Sequence, residues 1–351
     1  MKLWFSFAVL VFAMTGQSVI AETIYVDARS GSDKNPGTKD NPVRTVGRAA
    51  EIVNGSTEPG LASIKISPGI YSLNESVEFN STRPHTEKER LVIEAVVLPD
   101  DPQWKPALMP VILSTEDPRK QGSLEGLTET YGININVSHV TVRGLKFLGN
   151  PLSRNWHCCI SRIGDDLDDL LVTQCMFVGD RNAVDIYCAA LATGDRFVVD
   201  HCTFLNCHAC AVFWDGPQGI AGKGCSMRYC IVDGAYISGV WTCQTAEDFE
   251  FHHNIITRSD YFWMRKRIDN PRKYHLYDCI ITGNKNYSGY GVESGATGLT
   301  GAEVAYEEQN IIKQGAIVLN KDKKARNYLH PATDSLGSDL GAGLFRKQKE
   351  K

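Results

Sequence analysis

The chain has 351 residues, with 37 lysines and arginines against 41 aspartates and glutamates, nine histidines, eleven cysteines and 42% hydrophobic residues. This mildly acidic balance excludes nucleic acid as a general partner, and the length suffices for a buried core without a disulfide scaffold. Beyond the N-terminus no stretch approaches the ~20 apolar residues of a membrane-spanning helix.

In chain order, Lys2 precedes an apolar run over residues 3–14, and Val19 and Ala21 form a small-residue cleavage site. This predicts a signal peptide over residues 1–21, cut after Ala21, and an exported chain, secreted or periplasmic. Without Lys2 the balance is 36 basic to 41 acidic residues, a net charge near −5. Residues 22–351 are expected to form one domain, acting as a monomer. Residues 45–53 (TVGRAAEIV) read as a short amphipathic helix.

From residue 140 onward one pattern repeats. The segments VTVRGLKF (140–147), LLVTQCMF (170–177), FVVDHCTF (197–204), CSMRYCIV (225–232), FEFHHNII (249–256) and YHLYDCII (274–281) superimpose without gaps, and a degraded copy ends in QNII (309–312). The sixth position is an anchor, occupied by Leu145, Cys175, Cys202, Cys230, Asn254, Cys279 and Asn310, at spacings of 30, 27, 28, 24, 25 and 31 residues. Apolar residues fall five and three before the anchor and two after it, except in the last copy. Period-two alternation marks strands, and the offset at the anchor marks a bend between two of them. Units this short cannot bury their apolar faces alone and must stack on their neighbours. The fold class is therefore all-β, a right-handed parallel β-helix. The helix at 45–53 caps its first coil, whose open edge would otherwise template aggregation.

Stacking also accounts for the cysteines. Equivalent residues of successive coils lie about 4.8 Å apart, so Cys175, Cys202 and Cys230 are expected as neighbours in the core, where cysteine behaves as a small hydrophobe. Cys207 and Cys210 form the only CxxC, with His201 and His208 nearby. A second CxxC or an HxxxH is missing, so zinc is not expected there.

Two segments resemble a known family. They are Tyr25-Val-Asp, Gly31-Ser-Asp, Asn35-Pro-Gly-Thr, Pro42, Thr45 and Ala49 followed by IKISPGIY (64–71), and near the C-terminus PATDS (331–335) with GSDLG (337–341). Together they resemble the opening and closing segments of secreted right-handed β-helix proteins of the pectate-lyase-like superfamily, including alginate lyase and chondroitinase B relatives. The resemblance implies the β-helix fold and a polysaccharide substrate, and it transfers no catalytic residue.

Candidate chemistry therefore rests on ladder geometry. A further strand in each coil is read at residues 183–187, 211–215, 239–243, 261–265 and 291–295. With Val184, Val212, Val240, Phe262 and Val292 inward, one outer row is Asp185, Phe213, Trp241, Trp263 and Glu293, and a second is Tyr187, Asp215, Cys243, Arg265 and Gly295. Exposed aromatics flanked by carboxylates suit sugar binding, so Phe213, Trp241, Trp263 and Glu293 are candidate substrate contacts. Eliminative cleavage of a uronic-acid polymer needs a base and a cation facing the developing charge. Arg265, Lys266 and Arg267 supply bases, and Ca²⁺ held by Asp185, Asp215 and Glu293 would supply the cation. Hydrolysis instead needs two carboxylates, and Asp185 and Asp215 are expected roughly 8 Å apart, as an inverting pair requires. Eliminative cleavage of an acidic polysaccharide is the leading expectation, hydrolysis the alternative, and a non-catalytic carbohydrate-binding solenoid the third reading. His157, His208, His252 and His253 are expected in structural roles. Asn54, Asn74, Asn80, Asn136 and Asn286 head glycosylation sequons, meaningful only in a eukaryotic secretory route.

Overall fold

The computed structural model describes residues 22–57, 60–117, 129–152, 156–243, 248–266, 274–291, 297–299, 306–325, 327–332 and 334–343. The expected signal peptide, Arg267 and Glu293 lie outside the described residues.

The chain is a right-handed parallel β-helix with three faces. Seventeen strands form a sheet that folds over a bend into a first and a second face, and nine form the third. In one coil the first-face strand is Asp195–Asp200, the second-face strand Thr203–Leu205 and the third-face strand Ala209–Phe213. Among the described residues the strands pair in parallel except the last third-face strand, Thr297–Leu299, which is antiparallel to Asn286–Tyr290.

The anchor ladder is the inner corner between the first two faces. Leu145, Cys175, Cys202, Cys230, Asn254 and Cys279 are all fully buried. The residue before each is left-handed, with φ of +74° at Gly144, +52° at Gln174, +51° at His201, +53° at Tyr229, +52° at His253 and +53° at Asp278. A left-handed residue turns the chain sharply at some cost to any side chain but glycine, and six coils share that cost by stacking alike. Two residues past the anchor, Phe147, Phe177 and Phe204 stack with centroids 5.1 and 4.9 Å apart.

The last copy corrects the expected register. Cys279 pairs with Ile311, and Asn310 instead occupies the left-handed position at φ +55°. Its amide donates to Asp278 Oδ1 at 2.6 Å. The copy pairs without a gap from Tyr306 to Ile312, so its anchor is Ile311, one residue later than read, with Glu308 where the previous coil has Leu276.

All eleven cysteines are free and buried. The Cys202 and Cys230 thiols donate to the carbonyls of Val172 and Val199, each at 3.5 Å. The expected cap is the helix Val46–Gly55, which buries Val46, Ala49, Ala50 and Val53 and is started by Thr45, whose hydroxyl accepts from the Arg48 N–H at 3.1 Å. Outside the second face, Met176, Ile231, Ile255 and Ile280 form a second core with Ile317, Leu319, Tyr328, Leu329 and Ala342 of the C-terminal segment.

Candidate functional site

The third face sets its side chains in an order the sequence hides. Register partners run Ala190, Ala211, Val240, Trp263 in one column, Leu191, Val212, Trp241, Met264 in the next, and Ala192, Phe213, Thr242, Arg265 in a third. Cys159 and Ile160, Ala189 and Ala190, Cys210 and Ala211, and Phe262 and Trp263 are consecutive pairs that both belong to the interior core. Strict alternation fails at these pairs. Phe213 and Trp263, expected as outward sugar contacts, are therefore interior residues, 2% and 0% exposed. Because a one-residue slip reverses every side chain, Val212, expected inward, lies outside instead, in the outer apolar cluster.

Arg265 is likewise withdrawn. It is 1% exposed, lies in the inward column and sits 5.1 Å from the Tyr274 ring centroid. Asp185 does not lie on a third-face strand, because this coil has a long turn: thirteen residues separate Cys175 from Cys188, where the strand starts, against seven from Cys202 to Ala209. Asp185 instead accepts from the Tyr236 hydroxyl at 2.9 Å, and burial pushes its carboxyl above the usual range. It precedes its strand while Asp215 follows the strand Ala209–Phe213, so the two are at opposite ends of the face and the expected inverting pair is not assembled. Asp185 and Asp215 are therefore not brought together as two ligands of one ion, Glu293 lies outside the described residues, and among the described residues no three histidines, cysteines or carboxylates are placed to hold a metal.

The structure does bring Trp241, Asp215 and Lys266 together on a cleft of about 690 Å³. Its floor is outward yet apolar: Cys158, Cys188, Leu191, Val212 and Trp241, all under 9% exposed. On one side Trp156 stacks on Tyr187 with centroids 4.1 Å apart. On the other, Trp214 packs edge-on to Trp241 at 5.5 Å. The indole N–H of Trp241 is buried with no hydrogen-bond partner among the described residues. The Lys266 ammonium lies 3.2 Å from Asp215 Oδ1 and 4.5 Å from the centre of the Trp214 ring, and Asp215 is 8% exposed. Burial first, then the hydrogen bond to Asp215, pushes the Cys243 thiol up to about 12, so it faces the carboxylate as S–H. At the far edge the Tyr131 hydroxyl donates to Glu129, and burial with this bond raises the phenol far above its usual value.

Sequence reasoning missed Trp156, Tyr187 as a wall, Trp214 and Glu129. The signal lay in the turn Trp214-Asp-Gly-Pro217, an aromatic and an acid held by turn residues at a strand end. That turn is fixed from two coils away: Asp165 Oδ2 accepts from the Gln218 N–H at 2.9 Å, and a Cβ on Gly216 would lie 1.7 Å from Asp165 Oδ1. Gly216→Ala is therefore expected to push the Asp215 loop off Asp165 and to destabilise the folded chain by about 1–3 kcal/mol, the size of a broken hydrogen bond to a charged group. Urea unfolding of the variant beside the wild-type chain checks this.

No protein-family model and no curated protein sequence matches the chain. Solved structures with the parallel β-helix architecture do. A rhamnogalacturonan lyase aligns with 76% of this chain and 70% of its own at 12% identity, with a TM-score of 0.56. The pectin methylesterase from Aspergillus niger aligns over 95% and 96% at 13% identity, with a TM-score of 0.49. At these identities the likeness is one of fold, the one expected from the pectate-lyase-like resemblance. No helix among the described residues is long and apolar enough to cross a membrane.

Proposed function

We propose that the chain is an exported, polysaccharide-active enzyme that binds a glycan in the third-face cleft and moves a proton at Asp215. The observation that carries this reading is an apolar, tryptophan-walled cleft that holds one buried ion pair. Aromatic rings take the C–H faces of sugars, and an enclosed carboxylate beside an ammonium is a proton-transfer pair at low local dielectric. The fold shared with a rhamnogalacturonan lyase supports a sugar polymer as substrate.

Elimination asks for a base and a separate cation at one bond. Of the expected trio, Arg265 is interior and Lys266 is the one described member on the cleft. One lysine cannot fill both roles while paired with Asp215. Hydrolysis, with the Asp215 carboxylate, paired to Lys266, taking a proton from the attacking water and the cleft's second carboxylate protonating the leaving oxygen, fits the described side chains better. Glu129 is the other carboxylate on the cleft.

A panel of polysaccharides tests the proposal. New reducing ends are expected with the wild-type chain, falling about a hundredfold or more in Asp215→Asn, the size of a general base's contribution. Lys266→Met should lower turnover while binding persists. Binding without turnover in any chain would leave a carbohydrate-binding solenoid, and absorbance of unsaturated uronates would assign elimination instead.

A further inference from the structure

We infer that the glycan taken by this cleft is neutral, not a uronic-acid polymer, an inference that rests on the reading of the cleft as a glycan site. The charges the cleft presents are the first ground. Glu129 lines one edge and Asp215 the other, and Lys266, the one cation lining it among the described residues, is already held by Asp215 and the Trp214 ring. The described lining is thus one negative charge in excess.

The other arginines of this face reinforce the point. Arg162 and Arg265 stand in the inward column, 0% and 1% exposed. Arg162 donates from Nη2 to the carbonyls of Thr193 at 2.6 Å and Asp195 at 3.0 Å, so its charge is turned into the coil, away from the cleft. A polyanion laid in the cleft would meet like charge over an apolar floor, an arrangement interfaces use to reject wrong partners.

The floor gives the second ground. Cys158 and Cys188 are register partners at its centre, and burial, then the contact with Cys158, pushes the Cys188 thiol well above its usual value, so the floor stays uncharged. Uncharged sugar rings lose little on contact with thiols and aliphatics, whereas a carboxylate would have to shed its water there unpaired.

The experiment compares the wild-type full chain with neutral glucan, galactan and xylan and with polygalacturonate and alginate, by titration calorimetry at low and high salt. At least one neutral polymer should bind tenfold or more tightly than either uronate, with an affinity that salt leaves within twofold. Glu129→Gln should narrow that gap by about twofold to fivefold, the size of one exposed like-charge contact. Tighter binding of a uronate than of every neutral polymer, weakened by salt, would overturn the inference and leave the glycan site standing. If binding to a neutral polymer survives unchanged in Trp241→Ala, or no polymer binds, the glycan site itself fails, and this inference with it.

Discussion

Acidification is expected to strip stability from this fold between pH 6.5 and about 4, and enclosed histidines are the cause. His157 is 2% exposed, with Nδ1 3.1 Å from the Thr130 hydroxyl, and burial pushes its imidazole down to about 4. Burial, then the nearby Arg181, brings His208 to about 4. Burial, then His253, does the same to His252, whose Nδ1 shares a proton with His253 Nδ1 at 2.9 Å. In the unfolded chain each titrates near 6.5, so across this window the unfolded state takes up protons that the folded state refuses. Stability is complete above 6.5, falls with pH through the window, and levels off below about 4, where the folded histidines protonate as well. Each such group adds a slope of about 1.4 kcal/mol per pH unit, and His157 alone accounts for about 3 kcal/mol. Asp168, held low by its hydrogen bond from Arg196, extends the loss to still lower pH. Urea unfolding at a series of pH values measures the slope. His157→Gln should remove about one proton's share of it, whatever that substitution does to stability at neutral pH. An unchanged slope would show that His157 is not one of the groups involved.

The corner between the first two faces was legible in the sequence because it is the same length in every coil. Strand, left-handed residue, anchor and strand occupy eight consecutive positions, so Cys175, Cys202 and Cys230 align by inspection. The cap at Thr45 was legible for a similar reason, since a hydroxyl opening an amphipathic stretch is a local signal. The third face was not, because its start depends on turns of unequal length and its strands set two neighbours inward. Matching Val212 to Val240 by hydrophobicity then places Phe213 outside, whereas the hydrogen-bonded register matches Ala211 to Val240. Trp241 was reached from sequence because its coil happened to be read in register, and Lys266 because it stands in a basic run, although the strand before it was read one residue out. Trp214 escaped because the turn it opens is held through Gln218 by Asp165, about fifty residues earlier and two coils away.

Asn254 gives the ladder its strongest test. Replacing it by alanine is expected to cost about 3 kcal/mol, whereas replacing it by cysteine should cost about 1 kcal/mol or less. The side chain is fully buried and works between coils: its Oδ1 accepts from the Cys230 N–H at 2.9 Å, and its Nδ2 donates to the Met227 carbonyl at 2.8 Å. Alanine leaves a buried donor and a buried acceptor unpaired and opens a cavity in a stack that adjacent coils hold rigid. Cysteine restores both contacts in weaker form, because the ladder already shows how. The Asn254 N–H donates to Cys279 Sγ at 3.4 Å, just as the Cys230 N–H would donate to a new sulfur, and Cys230 Sγ donates to Val199 just as that sulfur would donate to Met227. Leucine, equal to the anchor at Leu145, fills the volume but pairs neither group, and belongs between the other two. Chemical denaturation of the three variants orders them. An alanine variant as stable as the cysteine one would mean that the anchor column works by volume alone and that its hydrogen bonds contribute nothing between coils.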